Sequence, residues 1–169
     1  MRFLLRALSR SLLSIPAPVA ALLALCWAAL IWRLSSRAVP TPVEVHFVWE
    51  LLSNLAHAPL FGLLCLFSAA LVLRARRGES GPVFARARVA GLLAWIALYG
   101  VVDEWHQSRT PGRDPSAYDV VTDLAGAALV LWIASYVRHD ASSESGLWLR
   151  IAASLALCLG SATLATLLS

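Results

Sequence analysis

Long stretches without a formal charge constrain this chain more than any other feature. Ser11 to Trp32 is 22 residues and Leu51 to Leu73 is 23, and neither stretch holds an Asp, Glu, Lys or Arg. A third, Leu147 to Leu168, carries only Arg150. About 20 apolar residues in helical form cross the hydrocarbon core of a bilayer. In lipid every backbone N–H and C=O must be satisfied within its own segment, so such runs fold as α-helices. Only 14% of the 169 residues are charged and mean hydropathy is +0.71, whereas a soluble domain is nearer a quarter charged. A chain this short cannot bury so much apolar surface in one water-soluble core. An ordinary cytosolic enzyme, a disordered tail and a secreted disulfide scaffold are thereby excluded. The expected fold is an all-α, polytopic transmembrane bundle.

About five spans can be proposed in one domain covering residues 1–169. The first is about Ile15 to Trp32 and the second about Leu51 to Leu73. The third begins near Val89, the fourth ends near Val137, and the fifth is about Leu147 to Leu168. All 14 basic residues are Arg and there are 10 acids, for a net charge of +4. The Arg residues cluster at positions 2, 6 and 10 and again at 74, 76, 77, 86 and 88, without the interleaved aromatics of a nucleic-acid surface. They read instead as topology signals, and no nucleic-acid partner is expected. The loop after the second span carries five Arg against Glu79, so +5 − 1 = +4, whereas Asp103 to Asp123 carries two Arg against five acids, so 2 − 5 = −3. The positive-inside rule then places the N-terminus in the cytoplasm and the acidic segment outside. Leu25 is too large for a lipoprotein cleavage box before Cys26, so the first span reads as an uncleaved helix. Cys26, Cys65 and Cys158 lie singly in apolar runs and make neither a disulfide framework nor a zinc motif.

The third span shows where polar groups must enter the bundle. Val89 to Val102 offers 14 uncharged residues, about 21 Å of helix at 1.5 Å per residue, which is short of a bilayer core. The helix must continue through Asp103, Glu104, Trp105, His106 and Gln107. The fourth must likewise begin before Asp123, with Ser116-Ala117-Tyr118-Asp119 as a capping box or Asp114-Pro115 as an alternative start. Ionisable residues at that depth face the interior and pair, and they mark a functional site by default. Helical spacing puts Tyr99, Asp103 and either His106 or Gln107 on one face, Asp119, Asp123 and Gly126 on another, and Glu50, Asn54 and His57 on a third.

Asp103-Glu104-Trp105-His106-Gln107, Pro111-Gly112-Arg113, Asp119 and Asp123-Leu124-Ala125-Gly126 resemble the signature of the VanZ-like family. In that family an Asp-Glu pair is followed by Gln, Pro-Gly-Arg, an Asp, and an Asn or Asp three residues before a Gly. His57 with Phe61 and Gly62 is similar to the family's earlier His and aromatic motif. The resemblance covers about residues 17–137. It departs at Asn54-Leu55, where Asp-Lys is common, and at Asp123, where many members have Asn. It implies a small bacterial protein of the cytoplasmic (inner) membrane. The family's namesake is associated with low-level teicoplanin resistance.

Each polar residue has a functional and a structural reading. Arg109 and Arg113 can grip an anionic headgroup or lipid-linked phosphate, or they can neutralise the acids, with Arg113 the better placed to pair and Arg109 to be exposed. Glu104 and Asp103 can serve as base and partner with His57, or as a polar network at a helix end. Adjacent residues diverge by about 100° on a helix, so the two acids are not an obvious dyad. His57, His106 and the acids have the chemistry of a divalent-metal site, but no HExxH motif supports one and no metal is assigned. Gly-x-Ser-x-Gly and Walker motifs are lacking, and no cofactor is indicated. A transporter pathway would need polar residues through to the cytoplasmic side, where the spans are apolar.

The expected function is binding or processing of an envelope lipid or lipid-linked precursor. Glu104, Asp103 and His57 would do acid–base work. Arg109, Arg113, Gln107, His106, Asp119, Asp123 and Asn54 would line the site. The alternative is a non-enzymatic accessory protein whose signature clasps two helices. Small residues from Ala152 to Thr166 suit packing on the chain's own bundle, or on a second copy or a membrane partner. The orientation predicts that a cysteine placed at Ser108 is labelled by an impermeant reagent from outside intact cells. Labelling only from the cytoplasmic side would invert it.

Overall fold

The computed structural model describes residue 11 and residues 15–37, 46–73, 84–111, 115–137 and 143–168. These form five helices, with no strand among the described residues: α1 Ala17–Ser35, α2 His46–Val72, α3 Arg86–Gln107, α4 Ala117–Val137 and α5 Glu144–Leu168. The Arg residues at 2, 6, 10, 74, 76 and 77, and Gly112, Arg113 and Asp114, lie outside the described residues.

Four of the helices, all but α3, are long and apolar enough to cross a membrane. With 22 residues, α3 extends about 33 Å at 1.5 Å per residue. It reaches that length by running through Asp103, Glu104 and Gln107, as the short apolar stretch requires. The helices also overrun the charge-bounded spans. α1 passes Arg33 to end at Ser35, and α2 begins at His46, ahead of Glu50. A Lys or Arg at a helix end tolerates the membrane boundary by extending its side chain outward, so charge alone marks where the apolar run stops and not where the helix does.

α2 and α4 form the central pair. α1 and α3 pack against one side of it, and α5 packs on α4 and α2 from the other. Phe61, Leu64 and Cys65 of α2, Leu92 and Ile96 of α3, Ala127 and Leu131 of α4 and Ile31 of α1 make a shared core. The outer surface is apolar: Leu25, Leu98, Leu149, Leu155 and Leu167 are each at least 60% exposed. This inverts the pattern of a soluble protein and suits contact with lipid tails.

In lipid, helix association gains little from hydrophobicity and depends on close packing of small residues. The central pair has such a contact. A Cβ on Gly126 would fall on the Ala58 backbone, 2.7 Å from its Cα and carbonyl carbon, and one on Gly62 would meet Val130 Cγ2 at 3.0 Å. Ala58 and Gly62 are four apart on α2, as Gly126 and Val130 are on α4, so one helix turn of each makes the crossing.

Because backbone cannot yield as a flexible side chain can, Gly126→Ala is expected to cost about 1–3 kcal/mol or more by overpacking. A Cβ on Gly91 or Gly160 would meet nothing within 4 Å. Ala at either should be neutral or stabilising by about 0.5–1 kcal/mol. Thermal melts in detergent distinguish the two classes, and equal effects at all three positions would contradict the close crossing.

Candidate functional site

The α2–α4 crossing delivers two polar residues to each other. His57 immediately precedes Ala58, and Asp123 is three residues before Gly126. His57 Nδ1 lies 3.0 Å from Asp123 Oδ1. Asp123 is fully buried and His57 is 7% exposed. A third glycine makes room for the carboxylate: a Cβ on Gly100 of α3 would lie 2.6 Å from Asp123 Oδ2. Phe61, one turn along from His57, lies parallel to the imidazole with ring centroids 5.9 Å apart.

α3 contributes two adjacent acids that serve different neighbours. Asp103 faces α1, where Ser35 Oγ donates to it at 2.7 Å, and its own helix supplies Gln107 Nε2 at 2.9 Å. Glu104 faces α4, and its Oε2 accepts the Ser116 backbone N–H at 2.8 Å. Ser116 Oγ in turn accepts the Tyr118 N–H at 3.2 Å, so Ser116 caps α4. In a capping box the N-cap N–H is held by the side chain three residues later. Here a side chain from another helix, that of Glu104, takes it. Asp119 is buried in the first turn of α4, where a negative charge suits the helix N-terminus. The roughly 100° divergence of Asp103 and Glu104 thus lets α3 tie α1 to α4. Even so, a carboxylate oxygen of each and a ring nitrogen of His57 lie within 4.8 Å of one another. Glu104 Oε1 and Asp123 Oδ2 are buried without a hydrogen-bond partner among the described residues.

His57, Asp103, Glu104, Gln107, Asp119 and Asp123 are therefore all buried at one end of the bundle, the end of the α1–α2 and α3–α4 connections. Other site candidates fall elsewhere. His106 stacks on Trp32 of α1 at 3.7 Å between ring centroids and lies 2.8 Å from Ser36 Oγ. The exposed Arg109 places its guanidinium 3.7 Å over the Trp105 ring. Asn54 donates to Thr166 of α5 at 3.0 Å. Arg113 lies outside the described residues.

A cavity of about 240 Å³ opens beside the cluster between α1, α2 and α3. Ser35, Arg37, Ser53, His57, Asp103 and Gln107 provide its polar lining, and Ile31, Leu34, Ala56, Leu60 and Phe61 its apolar lining. The contribution of α1 escapes a reading of charges, because Arg33 marks the end of the apolar run two residues before Ser35. The available signal is spacing: Ile31 and Ser35 are one turn apart, so they share a face, and both are buried. Chemically, an imidazole oriented by a carboxylate can bind or pass a proton through its second nitrogen. The carboxylates of Asp103 and Glu104 with a ring nitrogen of His57 also have the chemistry of a donor set for a cation.

Comparison with known proteins adds one finding. No curated protein and no solved structure matches the chain. The VanZ/LLP1 family matches over residues 15–138. That interval contains helices α1 to α4, the buried His57–Asp123 pair and both acids of α3, and excludes α5. The chain belongs to the VanZ/LLP1 family and is a membrane protein of that kind.

Proposed function

We propose that the cavity binds the polar end of an amphiphile, an envelope lipid or lipid-linked precursor, at the outer face of the bacterial inner membrane. The observation that carries this reading is the two-sided lining of the cavity. Its apolar wall suits an acyl or prenyl chain, while Ser35, Ser53, Gln107 and the Arg37 guanidinium suit a polar, anionic group. His57, held by Asp123, and Asp103 meet the ligand from the buried side and supply acid–base or hydrogen-bonding groups. Any contribution to glycopeptide tolerance would follow from holding such a precursor. The acidic end of the bundle faces outward on this reading, in keeping with the Arg distribution.

A second reading rests on the bond from Ser116 N–H to Glu104 and the bonds from Ser35 and Gln107 to Asp103. These tie helices together, and a protein that works only as a membrane accessory would need them for that alone.

The two readings part on Arg37→Ala and Asp103→Asn. Arg37 is exposed, and substitutions at exposed positions usually change stability by no more than about 0.5 kcal/mol. Removing a charge-assisted contact costs about 1.5–3 kcal/mol, a roughly 10- to 100-fold loss of affinity. Ligand binding, measured by native mass spectrometry with a polyprenyl phosphate and with phosphatidylglycerol as probes, should fall by that factor in Arg37→Ala at unchanged melting temperature. Undiminished binding of both probes by folded Arg37→Ala and Asp103→Asn removes the lipid reading. If Asp103→Asn lowers melting temperature while neither probe binds the wild type, the accessory reading stands.

A further inference from the structure

We infer that His57, Asp103 and Glu104 form a binding site for a divalent first-row cation such as Zn²⁺ or Mn²⁺. The inference goes beyond the lipid reading and does not depend on it.

Three observations support it together. The first is convergence: one donor atom from each residue falls within 4.8 Å of the others. Ligands about 2.0–2.2 Å from a metal are separated by about 3–4 Å, so small movements of the side chains suffice. They come from α2 and α3, whose relative placement the α2–α4 crossing and the shared core already fix.

The second is the surroundings of each donor. A metal-bound His usually has its other nitrogen on a carboxylate, which sets the tautomer and ring orientation. His57 has this arrangement: Nδ1 meets Asp123 Oδ1 at 3.0 Å, which leaves Nε2 as the ligand. Asp103 is likewise oriented by Ser35 and Gln107, whose donated bonds leave lone-pair capacity on the carboxylate.

The third is an unmet requirement. Glu104 is only 8% exposed, and while its Oε2 takes the Ser116 N–H, its Oε1 has no hydrogen-bond partner among the described residues. A carboxylate oxygen buried in this way is costly unless something compensates it. A cation shared with Asp103 and His57 would do so. A donor set of one imidazole nitrogen and two carboxylates favours zinc or manganese over magnesium, which takes oxygen ligands and holds its water. Because His57 and Asp103 also line the cavity, the remaining coordination positions are accessible to water or to an anionic oxygen of a ligand. Asp123 is a positioning residue for His57 and not a ligand.

The test uses the full chain in detergent, stripped with EDTA and titrated with Zn²⁺, Mn²⁺, Mg²⁺ and Co²⁺. About one equivalent of Zn²⁺ or Mn²⁺ should bind per chain and raise the melting temperature by mass action, and Zn²⁺ should displace Co²⁺ from a site with its own visible absorption. His57→Ala and Glu104→Gln should each weaken binding about 100-fold or more. Asp123→Asn should weaken it about 10- to 100-fold while keeping a Co²⁺ spectrum of shifted intensity, which a purely structural residue would not give. Should His57→Ala fail to fold, the near-isosteric Glu104→Gln decides. Absence of stoichiometric binding by the wild type, or binding undiminished in folded Glu104→Gln, overturns the site. Arg37→Ala, expected to weaken lipid binding, should leave metal affinity unchanged, so the failure of one reading is distinguishable from that of the other.

Discussion

The backbone contact between Ala58 and Gly126 is the constraint on which the rest of this structure depends. It sets how closely α2 and α4 approach, and that spacing allows an imidazole on one helix to reach a carboxylate on the other at 3.0 Å. The two requirements act together. Without the glycine the helices would stand farther apart, and Asp123 would be a buried carboxylate with no imidazole to meet. Burying such a charge unpaired costs several kcal/mol. The Asp-x-x-Gly pattern of α4 is therefore one device: the glycine permits the approach that the acid needs. Gly100 makes the corresponding space on α3.

From that pair the polar network spreads outward by helix ends. A helix leaves its first N–H groups without internal partners, and Glu104 satisfies one such group at the start of α4. Asp103 draws in α1 through Ser35. The indole of Trp27 donates to the Leu60 carbonyl and the hydroxyl of Tyr99 to that of Ala28, tying α1 further to α2 and α3. Polar contacts thus do at this end what hydrophobic association does in water, because lipid tails are as apolar as the helix surfaces they touch. The same contacts that hold the helices together line the cavity, so structural and functional roles of Asp103 and His57 are not exclusive.

Much of the fold was legible in the sequence. The uncharged runs marked the helices, and the shortness of Val89 to Val102 required α3 to carry its acids into the bundle. Spacing grouped Asp119, Asp123 and Gly126. The VanZ-like motif includes Asp103, Glu104, Gln107, Asp119 and Asp123, which the fold buries together. What spacing did not reveal is which acid faces which neighbour, that Asn54 turns to Thr166 of α5, that His106 stacks on Trp32, or that Ser35 belongs to the site. Each of these depends on how one helix is rotated against another, and the apolar periodicity that would report rotation in water is weak where nearly every face is apolar.

The sequence by itself determined that this chain is a membrane-spanning helical bundle and that half of its acids gather in the one segment Asp103 to Asp123, because a bilayer admits long apolar helices and excludes charge. Tertiary structure alone decided that His57, Asp103, Glu104 and Asp123, drawn from three helices, meet in one buried cluster beside a cavity. That meeting requires a particular distance between α2 and α4 and a particular rotation of α3, and both are set by glycine contacts that form only when the helices pack.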